Sequence, residues 1–141
     1  MKKVYVAGAM SADNIIRVLD NLHAGIDAGA ELLALGFAPF VPHFDAFFQL
    51  MRGGSYKVSM EAYKGFCMEW LLAADAVLVL PGEKSEGVQA EIAEAYLHDI
   101  PVFESLNALL NWRDSANKAQ PAAAGKQDDT CEVYKRKGDK A

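Results

Sequence analysis

Cysteine is scarce in this chain: two residues in 141, Cys67 and Cys131, far apart and with no CxxC pair. That excludes a disulfide framework and a cysteine-ligated zinc site. Long apolar runs are missing too, since no stretch approaches the ~18 residues of a membrane span. The opening MKKVYVAGAM carries two lysines and a short apolar run, but Ser11, Asp13 and Asn14 follow directly. It is too short for a signal-peptide core and reads as a buried first strand. Positive charge is not in excess: the formal net charge of -5 argues against a basic surface for polymeric nucleic acid. Small anions stay eligible, because helix N-termini bind them locally. Neither GxGxxG nor GxxxxGKS/T occurs, so a dinucleotide fingerprint and a P-loop are both excluded. No third ligand stands at a suitable spacing from His43 and Asp45, so no metal is assigned, and no cofactor is expected. The remainder is a cytoplasmic chain of one domain, long enough to bury a substantial core.

Strand and helix patterns alternate. Val4–Ala7, Phe37–Pro42, Ala76–Leu80 and Pro101–Phe103 read as strands, the second restricted to a short or edge position by Pro39 and Pro42. From Asn14 to Leu35, Ile15, Ile16, Leu19, Leu22, Ile26, Ala30 and Leu33 recur at helical spacing, and Gly36 follows as a stop. Ser59–Ala74 predicts a second helix carrying Tyr63, Phe66, Trp70 and Leu71 to the core. Gly87–His98 predicts a third, with Val88, Ile92, Ala95 and Tyr96 as its buried stripe, and Leu106–Trp112 a last short one. The aromatic stretch His43–Met51 allows a further short helix, and Arg52–Ser55 is a flexible loop. This order predicts a small α/β fold, a doubly wound, flavodoxin- or Rossmann-like parallel sheet of four to five strands with helices on both faces. The domain is expected over 1–114. Residues 115–141, with few large apolar residues and many charges, read as a disordered or loosely attached tail. Its Lys135-Arg136-Lys137 cluster reads as solvated.

The segment DAVLVLPGEKSEGVQAE, Asp75–Glu91, places a strand, a turn and a helix start in sequence. In an open α/β sheet ligands bind at the carboxyl ends of the strands. Glu91 reads either as an ordinary first-turn glutamate or as an ionised carboxylate in a cleft, favoured by the helix dipole and able to act as a glycosidic nucleophile. Ser85 either caps the helix or, with the helix-start N–H groups, holds a phosphate or sugar hydroxyl; Gly87 either joins it there or relieves loop strain. Gly8, Met10 and Ser11 form the loop after strand one, where Gly8 would let a ligand approach the backbone. Tyr5 lies within that strand with a hydroxyl that needs a partner if buried. His43, at the end of strand two, is either a hydrogen-bonded structural residue or a ligand contact. Cys67 reads as a small buried hydrophobe.

Three stretches, VYVAGAMS, GFAPFVPH and ADAVLVLPGEKSEGVQAEIAEAYLHDIPV, together resemble the nucleoside 2-deoxyribosyltransferase superfamily, which includes deoxynucleoside 5′-monophosphate N-glycosidases. They cover most of residues 3–103. The resemblance implies N-glycosidic cleavage or exchange on a (deoxy)nucleotide or nucleoside, with Glu91 as the nucleophile and Tyr5 as the tyrosine that supports it. It places Gly8, Met10, Ser11, His43, Ser85 and Gly87 at the substrate. Ser85 falls where monophosphate hydrolases carry a phosphate-binding serine, and a homodimer is implied. Two positions depart from the pattern: Cys67 stands where the family usually has an aspartate, and Ala12 follows Ser11 where the monophosphate hydrolases have arginine. A non-catalytic nucleotide-binding module on the same fold is the alternative that Cys67 favours.

Overall fold

The computed structural model describes residues 1–45 and 58–119. Strand β1 (Lys3–Ala7) leads into helix α1 (Ile15–Ala34), β2 (Ala38–Phe40) and a 3-10 turn (Pro42–Asp45). Then come α2 (Met60–Leu72), β3 (Ala76–Val79), α3 (Glu86–Leu97), β4 (Val102–Phe103) and α4 (Leu106–Ala119). The four strands form one parallel sheet in the order β2-β1-β3-β4. As the prolines required, β2 is an edge strand. Helix α4 runs to Ala119, beyond the boundary expected at 114/115. The loop expected at Arg52–Ser55 and most of His43–Met51 lie outside the described residues. No described helix is long and apolar enough to cross a membrane.

Alternation along the strands builds two cores. Tyr5, Ala7, Val77 and Val79 face α2 and α3, meeting Cys67, Leu71, Val88 and Ala95. Val4, Val6, Ala76 and Leu78 face the other way, meeting Leu32 of α1 and Leu109 of α4. Strands covered on both faces have to be apolar throughout, which is why VYVA and AVLV lack the polar alternation of a half-exposed sheet.

Several expected core faces are turned otherwise. On α1 the buried residues are Gly25, Gly29 and Leu32, while Ile15, Ile16, Leu19 and Leu33 are each more than half exposed. Small residues govern that contact: a Cβ on Gly25 would stand 2.2 Å from His43 Cγ, and one on Gly29 2.6 Å from Val41 Cγ2. The helix therefore approaches through its glycines, and the apolar stripe beside them stays outside. On α3, Val88 and Ala95 are buried but Tyr96 is exposed. On α2, Leu71 and Cys67 are buried, whereas Phe66 and Trp70 are partly exposed at the sheet edge, Trp70 stacked on Phe40 and Phe66 edge-on to it. Helix α1 ends as expected: Gly36 adopts φ 83°, and Phe37 N–H donates to Leu32 C=O at 3.0 Å.

Two glycines should respond oppositely to alanine. Gly25→Ala drives a methyl into the buried His43 ring and should destabilise by roughly 1–3 kcal/mol. At Gly65, inside α2, a Cβ would meet nothing within 4 Å, and the same change should stabilise by up to about 1 kcal/mol. Urea unfolding of both variants checks the pair.

Candidate active site

The order β2-β1-β3-β4 reverses direction between β1 and β3, so the crevice at their carboxyl ends is the place for a ligand. The loop Gly8–Ser11 leaves β1 there, and Leu80–Ser85 leaves β3, with Leu80 N–H still donating to Ala7 C=O at 2.8 Å. Between them is a cleft of about 490 Å³, whose polar lining comes from Ser11, Asp13, Arg17, Asn21, Glu83 and Ser85. Ser85 is the N-cap of α3, its hydroxyl accepting from Val88 N–H at 3.4 Å. Gly82, with φ 120°, makes the turn that separates strand from cap and needs glycine to do so. Gly87 makes no such demand: it is exposed in the first turn of α3 and leaves the backbone uncovered.

Sequence reasoning misses Arg17, which has the pattern of a residue on the polar side of a helix. It reaches the cleft from the first turn of α1, whose cap, Asn14, accepts from Arg17 N–H at 3.0 Å. Its guanidinium lies 3.4 Å from Asp13 with both side chains well exposed. Such a pair contributes little, so the cation is free to reorient.

Behind the cleft wall, on the α2–α3 side of the sheet, Tyr5 Oη donates to Glu91 Oε1 at 2.7 Å. Tyr5 is fully buried in the central strand, and burial together with the neighbouring Glu91 pushes its hydroxyl pKa upward, so it stays protonated. Glu91 is half-buried. Burial drives its pKa from 4.5 to about 7, against the opposing pull of the Tyr5 hydrogen bond. The expectation of a first-turn, dipole-ionised carboxylate is thus corrected. Helix α3 starts at Glu86, Glu91 is its sixth residue, and the free N–H groups of the first turn lie elsewhere. Desolvation sets its protonation.

The same wall holds Met10, Tyr63 and Cys67. Tyr63 Oη donates to Pro42 C=O at 3.1 Å and lies 3.7 Å from Met10 Sδ, tying the β1 loop and the 3-10 turn to α2. Burial raises the Cys67 thiol, which Tyr63 and Tyr5 oppose by hydrogen bonding, so it stays a neutral, buried group. His43 is placed differently from a substrate contact. It is 1% exposed, its ring enclosed between Gly8 and Gly25, and burial lowers its pKa. The Ala9 backbone pulls weakly the other way, yet among the described residues neither ring nitrogen makes a well-formed hydrogen bond. The glycine at position 8 therefore serves packing: a Cβ there would meet Leu80 at 2.7 Å and the His43 ring at 3.1 Å. Of the residues expected at the substrate, Ser11 and Ser85 share the cleft, Glu91 and Tyr5 pair on the other side of the β1–β3 ends, and Met10 bridges toward them.

Comparison with known proteins agrees with this architecture. The family model described as "Domain of unknown function (DUF4406)" matches residues 2–104. A 2-deoxyribosyltransferase from the psychrotolerant bacterium Bacillus psychrosaccharolyticus shares the fold, with a TM-score of 0.50 and 23% identity over 71% of this chain and 69% of that one. A conserved protein from Enterococcus faecalis V583 does too, with a TM-score of 0.54 and 21% identity over 84% and 76%. No curated protein matches the chain.

A desolvated glutamate weakens the fold in a pH-dependent way. Its folded pKa is raised, so the penalty is absent below about 4.5, grows as pH rises to about 7, and is constant above. Glu91→Gln keeps an acceptor for Tyr5 and removes the titration. It should match the parent near pH 4 and exceed it above pH 7 by on the order of 1–3 kcal/mol, after discounting for partial exposure. Denaturation at both pH values checks this.

Proposed function

Taking as premise that the chain belongs to the family described as a domain of unknown function (DUF4406), we propose that it cleaves or exchanges the N-glycosidic bond of a (deoxy)nucleotide or nucleoside through a glycosyl-glutamate intermediate. The observation that carries this reading is the Tyr5–Glu91 pair at the sheet's switch point. A carboxylate partly stripped of water, with one oxygen held by a protonated tyrosine, is oriented to attack with the other. In the first step that oxygen bonds to C1′ and the C1′–N electron pair leaves with the base, which takes up a proton. Water or a second base then attacks C1′ and frees Glu91, so overall configuration is retained. Water gives a hydrolase, a base a transferase. With a pKa of about 7, Glu91 is roughly half ionised at neutral pH, so turnover should fall as the solution is acidified.

The cleft supports a 5′-phosphate on the substrate. The Ser85 hydroxyl can donate while its oxygen caps the helix, the first N–H groups of α3 point outward, and Arg17 supplies a cation. Asp13 and Glu83 share the cleft, so phosphate affinity rests on these directed donors and not on an excess of positive charge. The same reading includes a homodimer: Ile15, Ile16 and Leu19, on the turns of α1 that border the cleft, are apolar and exposed. A second reading, a nucleotide-binding module without catalysis, is favoured by one observation: Cys67, and no carboxylate, faces the Glu91 pair from α2.

Incubation with a panel of deoxynucleotides, followed by chromatography for free base, separates the readings. The parent should release base and Glu91→Ala should release none while still binding nucleotide. Binding without release by the parent supports the module, and release only when a second base is present identifies a transferase. Arg17→Ala should raise KM for a nucleoside monophosphate about tenfold, the loss of one charge-assisted contact, and leave KM for the free nucleoside unchanged.

A further inference from the structure

The geometry points to Asp45 as the second carboxyl of this site, delivering a proton to the departing base and recovering it from the incoming water. The inference rests on the glycosidic reading and adds to it the residue that makes the base able to leave. Position comes first. Strand β2 ends at Phe40, paired with Tyr5, and Asp45 closes the 3-10 turn that follows. Tyr63 fastens that turn to α2 through Pro42 and touches Met10 of the β1 loop. Asp45 therefore stands at the carboxyl end of the sheet, against the wall that holds Glu91. Burial is the main cause that raises Tyr63 and Cys67, and each also feels smaller repulsions from both Asp45 and Glu91, which puts the two acids within electrostatic reach of the same pair of side chains.

Its hydrogen bonding is incomplete. Among the described residues, Asp45 Oδ2 is buried with no partner. A buried polar oxygen left so is disfavoured, and a ligand N–H or O–H would relieve it. Burial raises the Asp45 pKa, and the described groups that face it, Tyr63 and Cys67 with Glu91 beyond, include no cation to hold it ionised. In its protonated form this carboxyl is a donor as well as an acceptor.

The chemistry needs such a donor, because an unprotonated base is a poor leaving group. As Glu91 forms its bond to C1′ and the C1′–N bond breaks, the electron pair passes to the base nitrogens and the Asp45 proton neutralises the base. Asp45 is then a carboxylate. It takes a proton from the water that attacks C1′, the C1′–Glu91 bond breaks, and both side chains return to their starting forms.

The test compares two leaving groups in the full chain: 2′-deoxyguanosine 5′-monophosphate and its 7-methyl derivative, whose base is already cationic and departs without a proton. Each is assayed with and without a second free base. In a single turnover, Asp45→Asn should slow release of guanine by roughly a hundredfold or more, flatten the alkaline limb of its pH profile, and leave release of 7-methylguanine unchanged. A full first-turnover burst of 7-methylguanine also shows that the variant is folded. Equal effects on the two substrates, whether both unchanged or both reduced, overturn the role of Asp45, while loss of base release in Glu91→Ala keeps the glycosidic reading standing. If the parent releases neither base, the glycosidic reading fails and the role of Asp45 with it.

Discussion

Burial of β1 and β3 on both faces is the constraint from which the rest follows. Every residue from Val4 to Ala7 and from Ala76 to Val79 is buried, so these strands must be apolar, and their neighbours must supply a partner for any polar atom they carry. Tyr5 carries one. Its ring stacks on Phe40 and fills the core beside Val77 and Cys67, but its hydroxyl cannot be left bare. Glu91 answers it from α3. The carboxylate is drawn off the helix surface by a core tyrosine, and its raised pKa is the consequence. Packing and candidate chemistry are here one interaction.

The sheet is legible in the sequence because doubly covered strands are short apolar runs with turn residues at their ends, and VYVA and AVLV show both. Helix existence is legible from spacing; helix orientation is not. On α1 apolar residues occur on more than one side, and nothing in their spacing singles out Gly25 and Gly29, which set the contact by permitting close approach to His43 and Val41. A hydrophobic stripe reports where burial is favourable, whereas a glycine pair reports where another element has come near. Tyr96, Phe66 and Trp70 depart from the expected core for a related reason: aromatic rings at helical spacing fit a core or an amphipathic surface equally well.

The site is legible in part. Ser85 and Glu91 stand in a strand–loop–helix pattern whose spacing carries meaning, and the need of Tyr5 for a partner is a single-residue argument. Arg17 and Asp45 have no such local pattern. Arg17 is one cation in an amphipathic helix, and only the β1–β3 crevice makes it a cleft residue. Asp45 sits in an aromatic segment after an edge strand, and only the folded chain shows one of its oxygens buried without a partner among the described residues. The family resemblance points His43 toward the substrate, whereas residue type leaves a structural role open, and its enclosure between two glycines depends on how closely α1 and the β1 loop approach.

The two halves of the site also constrain what can occupy them together. Ser85 caps α3 and lines the cleft, and Glu91 lies six residues along the same helix, a rise of about 9 Å. A ligand that engages both must reach from the cap to the second turn of the helix, with an anionic or hydroxylic end at the cap and a reactive carbon near the carboxylate. Inorganic phosphate is too short for that, and an isolated base has nothing to offer the helix N-terminus. A sugar bearing groups at both ends meets both demands. The rigid helix fixes the separation while the loops on either side, Gly8–Ser11 and Leu80–Ser85, leave room to vary what is bound. On the proposed glycosidic reading, selectivity by length would come from α3 itself, and the desolvation that raises Glu91 would act at the end where a bond is broken.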